Sequence, residues 1–488
     1  MHVIEQKEFE RKILEELSVE EMLRHVEWLT KLPLRLSGTS DERRAAEYIR
    51  ETLKSYSVPV EVYEFDAFLS FPGESELRVL SPEQRTIKCR PVVHIQSTST
   101  QGTEGELVYA EAGGPESYKD LDVKDKICMI DLAGARVRRV NAHQQKELAQ
   151  LHGARALVHI SWKEYINSSS AKRVWGNPTP ESQPLAKIPM VSISYEDGRY
   201  LRELCKHGPV RVWLRAQSTN EWRRVPLLIA TIKGATEPER NVILGAHYDS
   251  WGPGATDMAA GISIILELAR VLSKHRDQIR RSVVLAFWTA HENGTMTGST
   301  WYVDNFWDDL HERTAAYLAV GGSVAKGISS YLYMSSGEIR DLLKDSVKEA
   351  GVGKEFEFTR QTRMTDGASF LWGMGIPMTA DLGQAKEPSW WWHTEADTTD
   401  KIDLGGLSDS AKVNSICALR LCNSPLLPFE FVGVGDEFID TLKRLDAGGG
   451  GKLELDQIIE KAEEFKRQAL NLKNTVGEML SDYERLGQ

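Results

Sequence analysis

Apolar positions in residues 8 to 30 recur at helical spacing: Ile13, Leu14, Leu17, Met22, Leu23, Val26 and Leu29. Such spacing predicts an amphipathic helical segment. Gly38-Thr39-Ser40 then offers a cap ahead of Ala45, Ala46, Tyr48, Ile49 and Leu53, a second helix. Val58 to Phe65 alternates and reads as a strand. From about residue 66 to 225 short apolar runs are separated by Gly and Pro. Leu107-Val108-Tyr109, Ile127-Cys128-Met129-Ile130, Ala156-Leu157-Val158 and Ile188 to Ile193 read as strands. Lys146 to His152 reads as a helix that Gly153-Ala154 ends. From Leu227 strand and helix alternate. Val242 to Ala246, Ser282 to Trp288 and Ala315 to Val320 are buried-strand patterns, and Ile264, Ile265, Leu268 and Val271 mark a helix.

These elements predict an α/β fold: a doubly wound mixed sheet with helices on both faces, an inserted β-rich domain, and a C-terminal helical segment. The expected division is 1–65 plus 226–430, then 66–225, then 431–488. In the last part, Gly448 to Gly451 reads as a flexible joint. Leu455 to Leu486 is a long amphipathic stretch through Ile458, Ile459, Ala462, Phe465, Ala469, Leu472, Val476 and Met479. It either packs on its own subunit or joins two copies as a homodimer.

Length and charge narrow the function. At 488 residues the chain exceeds one small core. A net charge of −11 argues against a general nucleic-acid binder. No run of about 18 apolar residues marks a membrane span, and Met1 to Glu8 holds no apolar leader core. Five scattered cysteines (Cys89, Cys128, Cys205, Cys417, Cys422) form no CxxC. Neither a disulfide framework nor a thiolate metal site is expected, which suits a reducing cytoplasm.

Chemistry concentrates in four segments. His247-Tyr248-Asp249 follows the strand at 242–246, and a Gly/Pro-rich loop leads to Asp257 and the next helix. Loops at the carboxyl ends of strands are where open α/β sheets build sites. Trp288 to Gly294 contains His291 and Glu292 after a second strand, and Tyr317 to Gly322 ends a third. Trp392-His393-Thr394 precedes Glu395 to Asp403. Imidazole and carboxylate in this combination suit Zn²⁺.

In order and spacing these segments resemble the co-catalytic zinc peptidase family of aminopeptidase Y and glutamate carboxypeptidase, whose transferrin-receptor relatives are non-catalytic. Residues 66–225 resemble a protease-associated domain, through Val123 to Ile127 and the helix-Gly153-Ala154-strand unit. The resemblance implies that His247 holds one ion, that Asp257 bridges two, and that Glu292 and His393 hold the second. It gives Asp249 the role of accepting the other ring N–H of His247 and fixing its orientation.

Two positions depart from the family pattern. His291 stands where the family has a Glu general base, and Gly321 where it has an Asp ligand. One ion would keep only His247 and the shared Asp257. The other keeps Asp257, Glu292 and His393, the three protein ligands of a mononuclear catalytic zinc site. One zinc ion per chain is therefore expected rather than two. His291 reads as a general base, as a recruited metal ligand, or as a relic of an inactive pocket. Arg360 and Arg363 read either as partners for a substrate carboxylate or as solvated surface charges. Trp390-Trp391-Trp392 reads as pocket wall or as core. The resulting expectation is a zinc-dependent exopeptidase acting on a peptide or small amide. Two alternatives stand beside it: an inactive peptidase-fold scaffold, and a rearranged site for another metal.

Overall fold

The computed structural model describes residues 3–131, 142–161, 164–172, 175–179, 181–182, 185–361, 365–384, 389–450 and 452–486. Its strands in chain order are β1 (Val60–Ser81), β2 (Arg85–Ile87), β3 (Cys89–Pro91), β4 (Thr103–Tyr109), β5 (Ile127–Asp131), β6 (Ala156–Ile160), β7 (Met190–Ile193), β8 (Val210–Ile232), β9 (Glu237–His247), β10 (Arg281–Trp288), β11 (Thr314–Ala319), β12 (Ser330–Ser335), β13 (Glu355–Arg360) and β14 (Met378–Gln384). They join in one mixed sheet of order β13-β12-β14-β11-β9-β10-β8-β4-β5-β6-β7-β3, with β1 paired to β8 and β2 to β1.

At the centre, β9 lies parallel to both β10 and β11. Their continuous apolar runs follow from burial on both faces. On one face, Leu244 and Leu285 share a core with Val26, Ile49, Ile265 and Ile416. Those four come from the helices Val19–Leu29, Ser40–Ser55, Ala260–Leu272 and Leu404–Asn423. On the other face, Ile243 and Ala286 pack with Val303 of the helix Thr297–Asn305 and Phe370 of the helix Gly367–Met374. Adjacent residues of β9 thus feed opposite cores, as the strand period of two requires.

The amphipathic run at 8 to 30 is two helices, Val3–Glu16 and Val19–Leu29. Ser18 separates them, its hydroxyl accepting from the Glu21 backbone N–H as an N-cap. The expected cap at Thr39 is present and opens the helix Ser40–Ser55.

Between the central sheet and the segment 66–225 there is no loop linker. β1 and β8 run as a long antiparallel ribbon from Val60↔Ala230 to Ser81↔Arg211. At one end Phe65, Leu69, Val225 and Leu227 belong to the central core. Beyond a register shift at Pro72/Ser75, Leu77, Val79, Val212 and Leu214 belong to a separate core with Ile127, Leu157 and Val191. The expected boundaries at 65 and 225 therefore fall inside continuous strands. The side chains change core while the backbone ladder continues. This second core also takes a helix absent from the sequence reading, Tyr195–His207, capped by Ser194 accepting from Asp197 N–H. The short helix at 146–152 is observed as Ala142–Leu151.

The C-terminal stretch forms Asp456–Leu486, packed on a further helix, Val432–Gly448. Phe438 meets Phe465 edge-on at 6.3 Å, and Lys466 Nζ lies 2.6 Å from Asp436. The glycine run expected as a joint ends the first helix, while Gly451 lies outside the described residues. Among the described residues no helix is long and apolar enough to cross a membrane.

Candidate metal centre

His247 is the last residue of β9, and Asp257 sits ahead of the buried helix Ala260–Leu272. The loop between them is held from below by Arg35, a fully buried guanidinium. It donates to the carbonyls of Tyr248 (3.1 Å), Leu29 (2.8 Å), Pro253 (2.5 Å) and Gly254 (3.3 Å). Burial lowers the Arg35 pKa to about 10, so its charge remains at neutral pH and is distributed over carbonyl dipoles. From above, the buried Asp397 carboxylate accepts from Thr256 N–H (3.0 Å), Thr256 Oγ1 (2.9 Å) and Asp257 N–H (3.1 Å). The Asp-rich segment after His393 thus fixes the backbone that carries Asp257.

Asp257 stands between two imidazoles. Its Oδ1 lies 3.3 Å from His247 Nε2, and its Oδ2 lies 3.1 Å from His393 Nε2. His393 Nε2 is also 3.2 Å from Glu292 Oε2. The potential ligand atoms of His247, Asp257 and Glu292 all lie within 4.8 Å of one another. So the four ligands expected from the sequence converge at one place.

Each imidazole is oriented by a backbone carbonyl. His247 Nδ1–H donates to the Asp249 carbonyl at 3.0 Å, and His393 Nδ1–H donates to the Ser168 carbonyl at 3.0 Å. Both rings therefore keep Nε2 free to face the carboxylates. For Asp249 the structure refines the expected role. Its carboxylate stands 3.6 Å from His247 Nδ1, farther than its own carbonyl. The carboxylate oxygens accept instead from His291 N–H (3.3 Å) and Glu292 N–H (2.9 Å), which fixes the loop carrying Glu292.

The residues present fit a metal ion. Glu292 Oε1 and Asp257 Oδ2 are buried without a hydrogen-bond partner, a costly condition unless a cation satisfies them. Burial acts to lower the His393 pKa, but Glu292 and Asp257 outweigh it and raise it to about 10. Burial acts to raise the Asp257 pKa, but His247 and His393 hold it well below the usual carboxylate range. The pocket is built to hold positive charge among these groups. Hard oxygen and borderline nitrogen donors without thiolate are a Zn²⁺-compatible set.

Gly321 follows β11 at φ +98°, and a Cβ there would lie 2.3 Å from Gly261 Cα. The backbone of the helix Ala260–Leu272 thus occupies the space that an acidic side chain would need. Gly321 N–H donates to Asp381 Oδ1 at 3.3 Å. The other Asp381 oxygen accepts from Ser323.

His291 lies face to face with His247, ring centroids 3.7 Å apart. Its Nδ1 is 2.6 Å from Asp366 Oδ2, and Asp366 Oδ1 accepts from Ser299 Oγ at 2.7 Å. Burial and His247 act to lower the His291 pKa, but Asp366 and Glu292 outweigh them and raise it. Asp366 follows Arg360 and Arg363 along the chain, and nothing in the local pattern ties it to His291. Of those arginines, Arg360 lies in a groove with Glu437, Asp440 and Arg444 of the helix Val432–Gly448, apart from the metal cavity. Arg363 lies outside the described residues. Trp392 lines the cavity and stacks on His393, whereas Trp390 stacks on Tyr165.

The cavity over these groups has a volume of about 750 Å³. Trp251, Met258, Met296, Val320 and Ile328 give it an apolar wall, and Asp366 and Asp381 add negative charge.

Residues 228–416 match the family described as Peptidase family M28. The chain is 25% identical to a probable glutamate carboxypeptidase VP8 of Zea mays, over 84% of this chain and 68% of that protein. It is also 25% identical to human transferrin receptor protein 2, over 74% of this chain. That match spans about half of the receptor's length, 54%. Among solved structures, BSAP, a zinc aminopeptidase from Bacillus subtilis, superposes with a TM-score of 0.64 at 20% identity, covering 82% of this chain and 94% of that one. His247, Asp257, Glu292 and His393, with the loops that carry them, all fall within the residues that match Peptidase family M28.

Proposed function

We propose that this protein is a zinc-dependent exopeptidase-type hydrolase working with one metal ion on Asp257, Glu292 and His393. The observation that carries this reading is the buried, unpaired Glu292 Oε1 beside Asp257 and His393 Nε2. A bound zinc ion would supply Lewis acidity to a scissile carbonyl and to water. The chain's own residues do the remaining work. Ser168 and Asp249 orient the imidazoles and the Glu292 loop. Asp366 engages His291 Nδ1, which leaves Nε2 as the ring's free nitrogen. His291 then takes a proton from the attacking water and returns it to the leaving amine.

The substrate class is a peptide or small amide, bound through its amino terminus. Asp257, Glu292, Asp366 and Asp381 make the lining acidic, which suits a cationic terminus, and the apolar wall suits its side chain. Zinc content after zinc exposure and dialysis tests the metal, and peptides with free or acetylated amino termini test the end. About one Zn²⁺ per chain with cleavage of free-amine peptides supports the reading. Preference for the acetylated peptide would reverse the assignment of the end.

A second reading is favoured by the backbone contact at Gly321 and by His291 in the base position: a peptidase fold retained for binding alone. Absence of retained zinc and of hydrolysis would select it.

A further inference from the structure

The two loops that carry Glu292 and His393 share a grip outside the central sheet, in residues 165–172 and Gly176 of the inserted segment. Ser168 is tied to His393 twice: its carbonyl accepts from Nδ1–H, and its N–H donates to the His393 carbonyl at 2.9 Å. Asn167 donates its side-chain N–H to the Trp392 carbonyl. Arg90, on β3, donates to Ser168 Oγ at 2.7 Å and to Glu395 Oε2 at 3.0 Å. Tyr165 stacks on Trp390 at 4.3 Å. On the other loop, buried Lys172 donates to the Gly294 carbonyl, and Gly176 N–H donates to the Thr295 carbonyl at 3.0 Å.

This grip falls where the backbone needs it. His393 has φ +60°, the left-handed region that a residue with a Cβ disfavours. Such a conformation persists only where surrounding contacts over-determine it. Its own loop supplies a turn bond from Thr394 N–H to the Trp391 carbonyl. The hydrogen bonds to the His393 carbonyl and Nδ1, and to the Trp392 carbonyl, come from the inserted segment.

Resting on the metal-site reading above, we propose that Asn167, acting through the Trp392 carbonyl, and Arg90, acting through Ser168, are positioning residues for the metal ligand His393. The inserted segment is then a structural part of the metal centre, joined to it by side chains more than 200 residues away in sequence. Groups that orient a ligating imidazole typically change metal affinity 10- to 100-fold when removed.

The test is equilibrium Zn²⁺ affinity, by competition with a chromophoric chelator, for the full chain and for Asn167→Ala, Arg90→Ala and Arg90→Lys. Arg211→Ala, which removes an exposed ion pair with Glu104 elsewhere in the segment, is the control. Expected are losses of about tenfold or more in the two alanine variants, partial recovery with Arg90→Lys, and no change in the control. The Co²⁺ d–d spectrum of the alanine variants should shift, since the His393 ligand geometry has changed. Stoichiometric metal at unchanged affinity in both alanine variants would overturn this inference and leave the metal site standing. A wild-type chain that binds no zinc would overturn both. Should Asn167→Ala not fold, Arg90→Ala against Arg90→Lys decides alone, since their affected groups lie nearer the surface.

Discussion

The imidazoles of His247 and His291 stack with their planes 5° apart and their centroids 3.7 Å apart. A nitrogen lone pair lies in the plane of its ring, so two parallel rings cannot both aim at one ion. The stack therefore separates two of the roles open to His291. It is not a partner for His247 in a rebuilt first metal site. Its Nδ1 is taken by Asp366, an arrangement that suits the proton-transfer role proposed above.

His291→Ala should lower kcat by about 10²- to 10⁴-fold, the usual contribution of a positioned acid–base group, with zinc content unchanged. Asp366→Asn should lower kcat in the same direction and add nothing to His291→Ala. Elemental analysis beside steady-state kinetics checks both. Loss of zinc from His291→Ala would show that the ring is a ligand.

His393→Ala removes one of the three proposed ligands and should abolish stoichiometric zinc together with hydrolysis. Asp257→Asn should do the same, because both of its oxygens face imidazole nitrogens. Metal content after dialysis is the readout, and retained zinc in either variant would refute the ligand set.

Gly321→Asp should not restore a second ion. A Cβ at 321 lies 2.3 Å from Gly261 Cα, and φ +98° suits glycine alone. The expected outcome is a loss of roughly 1–3 kcal/mol of stability, a lower Tm, and zinc still near one per chain. Two ions per chain in that variant would mean that the helix Ala260–Leu272 yields more readily than its packing implies.

Glu42 predicts a pH dependence away from the metal. It is fully buried, and burial raises its pKa to about 8 against hydrogen bonds from Thr289 and Gly38. The unfolded carboxyl titrates near 4.5. Between these values the folded state holds a proton that the unfolded state has released. Stability therefore falls as pH rises from about 4.5 to about 8 through this group. Glu42→Gln should flatten that part of the profile in denaturant titrations. An unchanged slope would place the titration elsewhere.

Several candidate site residues were legible because they stand at or just beyond the end of an apolar run. His247 closes β9, and His291 and Glu292 follow β10. What holds those residues was not legible. Asp366 reaches His291, Asp397 reaches Thr256, and Ser168 reaches His393 only through tertiary pairing. A run such as Ser168-Ser169-Ser170 carries no periodicity to flag it. The fold shows the same division. The central strands were read as such from their burial on both faces. The great length of β1 and β8 was not, because Pro72 and Gly73 interrupt the alternation where the ribbon bulges. The helix Tyr195–His207 was missed although Ser194, just ahead of it, and Asp197, in its first turn, form a capping pair.

The ribbon also orders biosynthesis. Val60 finds its partner only when Ala230 has been made, and β10 and β9 add to the sheet through β8. A nascent chain folds from its amino end as it emerges, so the intervening core closes before the central sheet can begin to grow. Until then residues 60–81 present a long strand without its partner, the kind of exposed edge that seeds aggregation. Ribosome-stalled chains ending before residue 210 should therefore depend on chaperones, and chains extended past β10 should not.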